Sequence, residues 1–401
     1  MRRVIAVILA VAAAAVLVGA ALGLLVPWPD GYVTVAQTTP GQQYWGCGIQ
    51  YARVIELQHA GENNGVLLAT HELATSGLRP EKPGYDIHIS RDGGETWSML
   101  TTVREKEPAV QSEFNPHLYE LPCTIGDMPE GTLLLAGVSI DPGHREQTAI
   151  RVYRSFDTGK TWEQYSTVAV AGGEGGGVWE PFLLVLPDGR LACYYSDETE
   201  SDAHSQKLVV KLSEDGASWG EAIDVAAPDD RTLRPGMAVV AQMSDGRFIM
   251  TYELVDERDD THSNPVYYRF SDDGIHWGDE TDPGTMLVTD TGAVPSSAPY
   301  VAYVPNCGDQ GFLLVTAVGI VPGRATGNIV YINDRMGDPD AWRIWLLPGR
   351  YHECMGGYSH GIFVSADGET AYFVNNIPDE ASEDGYAKMI FTRYCFDRGA
   401  P

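Results

Sequence analysis

Two glutamates, Glu180 and Glu253, adjoin hydrophobic stretches of the sequence and are the residues best suited to chemistry. Glu180 lies in VWEPFLLVLPDGR, and Glu253 ends IMTYE. A pair of carboxyl groups, one protonated and one ionised, can flank a glycosidic bond and cleave it. Alternatively, each glutamate caps a strand or pairs with a nearby arginine. Which interpretation holds depends on whether the fold brings the two carboxyl groups together.

An internal repeat predicts the elements that must position these glutamates. Four segments follow the pattern Ser-x-Asp-x-Gly-x-x-Trp or a form one residue shorter. They are SRDGGETW at residues 90–97, SFDTGKTW at 155–162, SEDGASW at 213–219 and SDDGIHW at 271–277. In such a turn the Asp accepts backbone hydrogen bonds, the Gly adopts a positive φ and the Trp packs between sheets. We therefore interpret these segments, the Asp boxes, as structural.

A second repeat, two apolar strands joined by a turn that ends in glycine, occurs six times in phase with the first. Its turn glycines are Gly65, Gly131, Gly189, Gly246, Gly311 and Gly368. After each of the first five, a tryptophan follows 30–32 residues later, and the fifth unit keeps this tryptophan without an Asp box. Six units of four strands, named A to D in chain order, predict an all-β, six-bladed β-propeller.

The two ends of the chain are expected to meet in the last blade. The sixth unit reaches the end of the chain before its fourth strand, so we predict that residues 32–37 (YVTVAQ) complete that sheet and close the ring. The propeller is then the catalytic domain, spanning residues 30–401. Residues 1–29 form a separate segment.

The segment 1–29 predicts export. Arg2 and Arg3 precede an apolar run from Val4 to Val26, which is typical of a signal peptide and long enough to span a bilayer. We narrowly favour an uncleaved membrane anchor through residues 4–26 over a cleaved signal. Either way, the protein is expected outside the cytoplasm, secreted or anchored to the cell membrane.

The net charge of −28 disfavours nucleic acids and anionic membrane surfaces as ligands. A neutral ligand, such as an oligo- or polysaccharide, fits this charge better. We expect a monomer.

One face of the propeller is expected to carry the site, because the loops before strands A and after strands B are long and polar. Beside Glu180 and Glu253, the candidate substrate-binding residues on this face are Arg53, Glu72, Tyr119, Glu120, Trp179, Arg234 and Tyr358. Arg53 and Arg234 share an offset of twelve residues from their turn glycines, and either could hold substrate or orient a glutamate. Trp179, Tyr252 and Tyr358 could stack on a sugar or simply pack.

No metal or cofactor is predicted, and the cysteines are not those of a disulfide scaffold. The histidines without metal-ligand spacing are His71, His117, His204 and His360. Cys47 and Cys354 fall in loops that enter strand A of blades 1 and 6, neighbours in a closed ring, so they are predicted to form a disulfide. The four cysteines expected to be buried free thiols are Cys123, Cys193, Cys307 and Cys395.

The stretch 178–253 resembles the exo-α-1,5-L-arabinanases of glycoside hydrolase family 93. The matching segments are WEPFLLVLPDGRLACYYSDE, HSQKLVVKLSEDGASWG and RPGMAVVAQMSDGRFIMTYE, with LYELP at residues 118–122 upstream. The combination of WEPF and MTYE is much more specific than the Asp box. The resemblance implies a retaining hydrolase that releases arabinobiose from the non-reducing end of α-1,5-L-arabinan, with Glu180 as acid/base and Glu253 as nucleophile.

Two other functions share this sialidase-like scaffold. An exo-α-sialidase needs three arginines around a carboxylate and a Tyr–Glu nucleophile couple, for which Tyr358 and Glu253 are available. The arginines could come from Arg53, Arg234, Arg324 and Arg350. The segment YARVIEL, however, departs from the sialidase Arg-Ile-Pro signature. The third possibility is a non-catalytic Asp-box propeller that binds a glycan or a protein.

Overall fold

The structure is a computed structural model that describes residues 32–38, 44–75, 84–106, 112–141, 144–172, 176–320, 324–325, 329–346, 358–378 and 387–396. The predicted export segment lies outside these ranges, as do the side chains of the predicted Cys47–Cys354 pair. Within them, no helix is long and apolar enough to cross a membrane.

Six four-stranded antiparallel sheets surround a central channel. Blades 1 to 3 contain β2 (Tyr44–Glu56), β3 (Leu67–Thr75), β4 (Tyr85–Ser90) and β5 (Ser98–Val103); β6 (Ser112–Glu120), β7 (Leu133–Asp141), β8 (His144–Ser155) and β9 (Glu163–Val170); and β10 (Val178–Val185), β11 (Leu191–Asp197), β12 (Lys207–Ser213) and β13 (Ile223–Ala226). The prediction of a six-bladed β-propeller is confirmed.

Blade 4 has the same strand order as blades 1 to 3. An additional small sheet is inserted in blade 5, and the N-terminal strand β1 completes blade 6. Blades 4 to 6 contain β14 (Leu233–Gln242), β15 (Phe248–Asp256), β16 (Val266–Ser271) and β17 (Thr285–Met286); β19 (Tyr300–Val304), β20 (Phe312–Thr316), β23 (Ile329–Asn333) and β24 (Arg343–Leu346); and β25 (Gly361–Val364), β26 (Thr370–Pro378), β27 (Ala387–Cys395) and β1 (Val33–Gln37). A three-stranded sheet of β18 (Pro295–Ser296), β21 (Gly319–Ile320) and β22 (Arg324–Ala325) accompanies blade 5. Two 3-10 turns lie at Gly61–Asn63 and Pro339–Ala341.

Strand β1 closes the ring as the sequence predicts. It pairs antiparallel with β27, with Val33 opposite Phe391 and Gln37 opposite Lys388. The outermost strand of blade 6 therefore comes from the opposite end of the chain to its other three strands. This pairing covers the edge that β27 would otherwise expose.

The Asp boxes form the turns between strands C and D. In blade 2 the Asp157 carboxylate accepts the backbone N–H and the hydroxyl of Thr161, and the Ser155 hydroxyl accepts the Gly159 N–H. Blade 5 reaches the same turn with another residue, because Asn333 Oδ1 accepts the N–H groups of Arg335 and Gly337. The turn geometry thus survives where the Asp-box sequence does not.

The apolar cores lie between neighbouring blades, since each sheet buries both faces. Trp277 and Trp342 belong to the cluster that joins blades 3, 4 and 5, and the Trp342 side chain is fully enclosed. Among the cysteines, Cys193 and Cys307 are buried free thiols as predicted, whereas Cys123 is half-buried. The expectation of burial is wrong for Cys395, which lies at the exposed end of β27.

Candidate active site

A ring of bulges at the start of the innermost strands builds the site. Each blade carries a non-glycine residue with φ between 48° and 63° at this position. These residues are Tyr51, Asn115, Glu180, Met237, the pair Ser297 and Ala298, and Ser359. In the first four blades the strand A–B register shifts at this point. A bulge turns a side chain out of the regular alternation, and left-handed backbone costs about 1–2 kcal/mol per non-glycine residue. Six such positions around one mouth mark it as the functional face.

Glu180 is itself a bulge residue, which aims its carboxyl group into the funnel, the mouth of the central channel. The Tyr51 hydroxyl lies 3.4 Å from Glu180 Oε1. The Ser196 hydroxyl accepts the Met237 N–H at 3.1 Å, so its proton is available to the Glu180 carboxyl. Burial raises the pKa of Glu180 to about 7, and the nearby Glu253 adds to the rise, against the opposing effects of Ser196 and Arg234. Glu180 can therefore hold a proton near neutral pH.

Glu253 ends up beside Glu180 but in a different environment. Only 5% of its surface is exposed, and its Oε2 accepts the Ser297 hydroxyl at 2.8 Å and the Ala298 N–H at 2.9 Å. Burial raises the pKa of Glu253, while these two donors and Arg234 act in the opposite direction. Donors that point at an oxygen favour the ionised carboxylate, so this glutamate is equipped to carry the negative charge of the pair.

Glu198 holds two residues at the rim of the funnel, and the sequence analysis did not identify it as a site residue. One of its oxygens accepts the Gly177 N–H and the Trp179 indole N–H, both at 2.9 Å, and the other pairs with Arg234 at 2.5 Å. Trp179 lies against Gly177, where a Cβ would come within 2.5 Å of its ring. Trp179 and Arg234 are thus fixed at the rim, as predicted, by a residue whose only sequence signal was its place after strand B.

Arg53 and Arg234 are not equivalent, although their sequence offsets are equal. Arg234 precedes its bulge and reaches the rim, whereas Arg53 follows its bulge and is 7% exposed. The Arg53 guanidinium donates to the carbonyl and hydroxyl oxygens of Ser359 at 2.9 and 2.7 Å. Arg53 therefore ties blade 1 to blade 6 and, among the described residues, donates no hydrogen bond to either catalytic candidate.

Glu72 brings a third buried carboxyl group to the channel wall. It is 3% exposed and accepts the Asn115 N–H at 3.0 Å. Burial raises its pKa to about 8, with a further rise from Glu180 and a decrease from Arg53. Glu72, which the sequence predicted on the face of the funnel, thus lies near enough to Glu180 for the two carboxyl groups to interact.

Tyr51 and Tyr358 form an aromatic wall between the carboxyl groups. Their rings meet edge to face with centroids 5.5 Å apart, and the Tyr358 hydroxyl contacts the Met237 sulfur at 3.5 Å. Burial raises the pKa of Tyr358, and Glu253 and Glu180 raise it further. Tyr358 thus lies in the funnel as predicted, while Tyr51 carried no motif that could have identified it.

Tyr119 and Glu120 lie at the other end of the channel, so their predicted place in the funnel is wrong. Both end β6, next to the A–B turn, where Glu120 Oε2 accepts the N–H groups of Gln58 and His59. They line a separate cavity of about 440 Å³ at that opening. The A–B turn of blade 2, residues 121–132, is longer than most, which shifted the count from Gly131.

Tyr252 is not a sugar platform either. Its ring is fully buried, and its hydroxyl donates to the Pro283 carbonyl. It supports strand β15 from the side opposite to the Glu253 carboxyl. The aromatic groups of the described funnel are instead Tyr51, Trp179 and Tyr358.

Together, these residues can perform acid–base and nucleophilic chemistry at one bond. Glu180 can donate a proton near neutral pH, and Glu253 is held by two donors that favour its charge. Two carboxyl groups whose environments differ in this way are what glycosidic bond cleavage requires.

Comparison with solved structures agrees with this chemistry. The chain is 30% identical to the Penicillium chrysogenum α-L-arabinanase complexed with arabinobiose, with a TM-score of 0.75 and coverage of 90% of this chain and 98% of that one. It is 28% identical to the GH93 α-L-arabinofuranosidase of Fusarium graminearum with arabinobiose, with a TM-score of 0.74 and coverage of 90% and 97%. No protein-family model and no curated protein matches the chain.

Sialidases share the fold at much lower identity. The NanB sialidase from Streptococcus pneumoniae is 12% identical, with a TM-score of 0.58 over 93% of this chain and 72% of that one. At this identity the likeness concerns the propeller architecture alone.

Proposed function

This chain belongs to glycoside hydrolase family 93, and from that membership we propose that it is an exo-acting, retaining hydrolase of α-1,5-L-arabinan. It removes arabinobiose from the non-reducing end. The observation that carries the proposal is the pairing of Glu180, whose pKa is raised to about 7, with a Glu253 carboxylate held by two hydrogen-bond donors.

The two environments support one assignment of roles. Glu253, stabilised as the anion by Ser297 and Ala298, attacks the anomeric carbon and forms a covalent glycosyl–enzyme. Glu180 gives its proton to the departing sugar oxygen, and its carboxylate then takes a proton from the water that releases the product. The retaining outcome rests on family membership.

The proposed substrate is a neutral sugar chain. The Penicillium chrysogenum and Fusarium graminearum structures hold arabinobiose, and a chain with a net charge of −28 repels anionic substrates. Trp179 and Tyr358 are the aromatic surfaces available for sugar rings at the funnel.

A sialidase function is disfavoured because two of the arginines that it would need already have partners. Arg53 donates to Ser359, and Arg234 is paired with Glu198. Both would have to leave these partners to hold a sialic acid carboxylate. A non-catalytic propeller is disfavoured because placing two buried carboxyl groups, Glu72 and Glu253, beside the half-buried Glu180 destabilises the fold without serving a binding role that needs them.

Product analysis tests the proposal. The enzyme is incubated with linear α-1,5-arabinan labelled at the reducing end, and in parallel with a sialoside. We expect arabinobiose without early internal fragments, and NMR of the first product should show the retained anomer. Glu253→Gln should abolish the reaction, and Glu180→Gln should slow it by about 10²- to 10⁴-fold, both while leaving the fold intact by circular dichroism.

The other outcomes separate the alternatives. Release of sialic acid without arabinobiose would replace the proposal by the sialidase function. No product from a broad panel of glycans, with binding to one of them, would favour the non-catalytic propeller.

We further propose that the protein works outside the cytoplasm. Arg2, Arg3 and the apolar run from Val4 to Val26 support this location. Protease added to intact cells should digest the propeller, and fractionation should show whether it stays with the membrane. Full protection in intact cells, with digestion after lysis, would contradict export.

A further inference from the structure

Three metal-binding side chains meet at the interface between blades 1 and 6, away from the funnel. His71 on β3 pairs with Asp86 on β4, and Ala69 pairs with His88. One ligand atom from each of His71, Asp86 and His88 lies within 4.8 Å of the other two. The sequence did not suggest this group, because only Asp86 and His88, two apart on one strand, are close in the chain.

The cluster faces blade 6 rather than the catalytic residues. Ala69 and Leu73, on either side of His71 in the alternation of β3, pack in the cluster of apolar residues shared with blade 6. Glu72, on the other side of the same strand, reaches Asn115 of blade 2. The two faces of β3 therefore serve two sites.

The strongest evidence for a bound ligand is the environment of the His88 side chain. It is 7% exposed, and neither of its ring nitrogens has a hydrogen-bond partner among the described residues. A buried polar group without a hydrogen-bond partner destabilises the folded state, and two on one ring are uncommon in a native protein. A neutral imidazole carries a lone pair on one of its ring nitrogens, which is the atom that a metal ion binds.

The other two residues are oriented as ligands usually are. The His71 Nδ1 lies 3.2 Å from the Glu72 carbonyl oxygen, and the tautomer that donates this bond carries its lone pair on Nε2. Asp86 Oδ1 accepts the Thr102 hydroxyl at 2.7 Å. Such outer contacts fix the rotamer of a metal ligand.

We propose that His71, Asp86 and His88 bind a divalent transition-metal ion, with Zn²⁺ as the best fit. Two imidazoles and a carboxylate are ligands suited to Zn²⁺. A tetrahedral ion with bonds of about 2.0–2.1 Å holds its ligand atoms about 3.3 Å apart. The ligand atoms of the three side chains lie within 4.8 Å of one another, so binding draws them together by up to about 1.5 Å. The ion would fasten strands B and C of blade 1.

The facing sheet offers a second unpartnered group. Asn376 lies in the row of β26 that also contains Tyr372 and Val374, both packed at this interface. It is 1% exposed, and in the part of the chain that the structure describes neither its side-chain amide nitrogen nor its amide oxygen has a hydrogen-bond partner. An ion here would place a positive charge between blade 1 and blade 6, the first and last blades of the ring. This structural role is separate from the proposed hydrolase activity.

Metal content tests the site directly. The full chain without a polyhistidine tag is equilibrated with Zn²⁺, freed of excess ion by gel filtration and measured by mass spectrometry of the metal. We expect about one Zn²⁺ per chain, lost in His88→Ala and in Asp86→Asn. His276→Ala is the matched control, because His276 is largely exposed and lies in the Asp box of blade 4; it should keep the ion.

A second measurement on the wild type avoids the risk that the variants misfold. Chelation should lower the melting temperature, and Zn²⁺ but not Mg²⁺ should restore it; Co²⁺ should give visible absorption bands that His88→Ala lacks. Less than a tenth of an ion per wild-type chain, or a stoichiometry that His88→Ala and Asp86→Asn leave unchanged, would overturn the proposal. Arabinan cleavage need not change in either case, so this test is independent of the proposed function.

Discussion

Glu253 Oε2 accepts the backbone N–H of Ala298 at 2.9 Å, across the junction between blade 4 and blade 5. Ala298 has φ of +48°, so the chain holds a strained conformation where it presents this donor. Because the donor belongs to the backbone, its direction is set by the fold. The neighbouring Ser297 hydroxyl is the part of the same arrangement that mutation can remove.

Ser297→Ala should shift the acidic limb of the pH profile of kcat/KM to higher pH. The Ser297 hydroxyl lowers the pKa of Glu253, so its loss raises that pKa and the nucleophile ionises only at higher pH. A hydrogen bond to a charged group is worth about 1.5–3 kcal/mol, which predicts a loss of about 10- to 100-fold in kcat/KM. Ser296→Ala is the control, because the Ser296 hydroxyl donates to Ser263 instead. Equal profiles for both variants would contradict the role of Ser297.

Substitutions of Arg234 and Glu198 should move the basic limb in opposite directions. Arg234 lowers the pKa of Glu180 and Glu198 raises it. Arg234→Met should therefore extend activity to higher pH, and Glu198→Gln should curtail it, provided that Glu180 is the acid. The readout is the pH profile of kcat/KM between pH 5 and 9. A shift in the same direction for both variants would show that the limb reports another group.

Glu180→Gln should make the protein more stable at pH 8 than the wild type. The folded-state pKa of Glu180 is raised to about 7 from an ordinary 4.5, so its favourable contribution is present at low pH and is lost as the pH rises through 7. A neutral amide avoids that loss. Melting temperatures should differ at pH 8 and nearly agree at pH 4. Turnover should fall by about 10²- to 10⁴-fold, the range for a general acid. A variant less stable than wild type at pH 8 would contradict the assigned shift.

Tyr119→Phe should leave kcat/KM within about twofold of wild type while lowering stability by about 1 kcal/mol. The Tyr119 hydroxyl accepts the Val185 N–H at 2.9 Å, and it lies at the opening opposite the funnel. Denaturant unfolding measures the stability change, and hydrolysis of arabinan the activity. A loss above tenfold in kcat/KM would show that catalysis takes place at the opening beside Tyr119 and not in the funnel.

The repeats of this chain could be predicted from the sequence because each unit contains residues of a characteristic type at a nearly fixed spacing. The turn glycines and the Asp-box tryptophans counted the blades, and the missing strand of blade 6 predicted the use of residues 32–37. The bulges carried no such mark, because Tyr51, Met237 and Ser359 share a backbone conformation but no side-chain chemistry. Glu180 and Glu253 were found through their flanking strands.

Counting from the turn glycines failed where the A–B turns differ in length. The long turn of blade 2 placed Tyr119 and Glu120 at the wrong mouth. The A–B turn of blade 1, residues 57–66, is likewise longer than that of blade 4, residues 243–247. Equal offsets from the glycines therefore put Arg53 after its bulge and Arg234 before its own. Contacts between distant segments, such as that of Glu198 with Arg234, depend on the assembled ring and could not be predicted from one strand.

Under the proposal that residues 4–26 anchor the protein, the direction of β1 decides which face of the propeller the anchor adjoins. Val33 pairs with Phe391 and Gln37 with Lys388, so the chain enters β1 at the end nearer the Asp-box turns and leaves towards the funnel side. An anchored protein would then be attached at the edge of the face that carries the Asp-box turns. Its catalytic mouth would open on the opposite face.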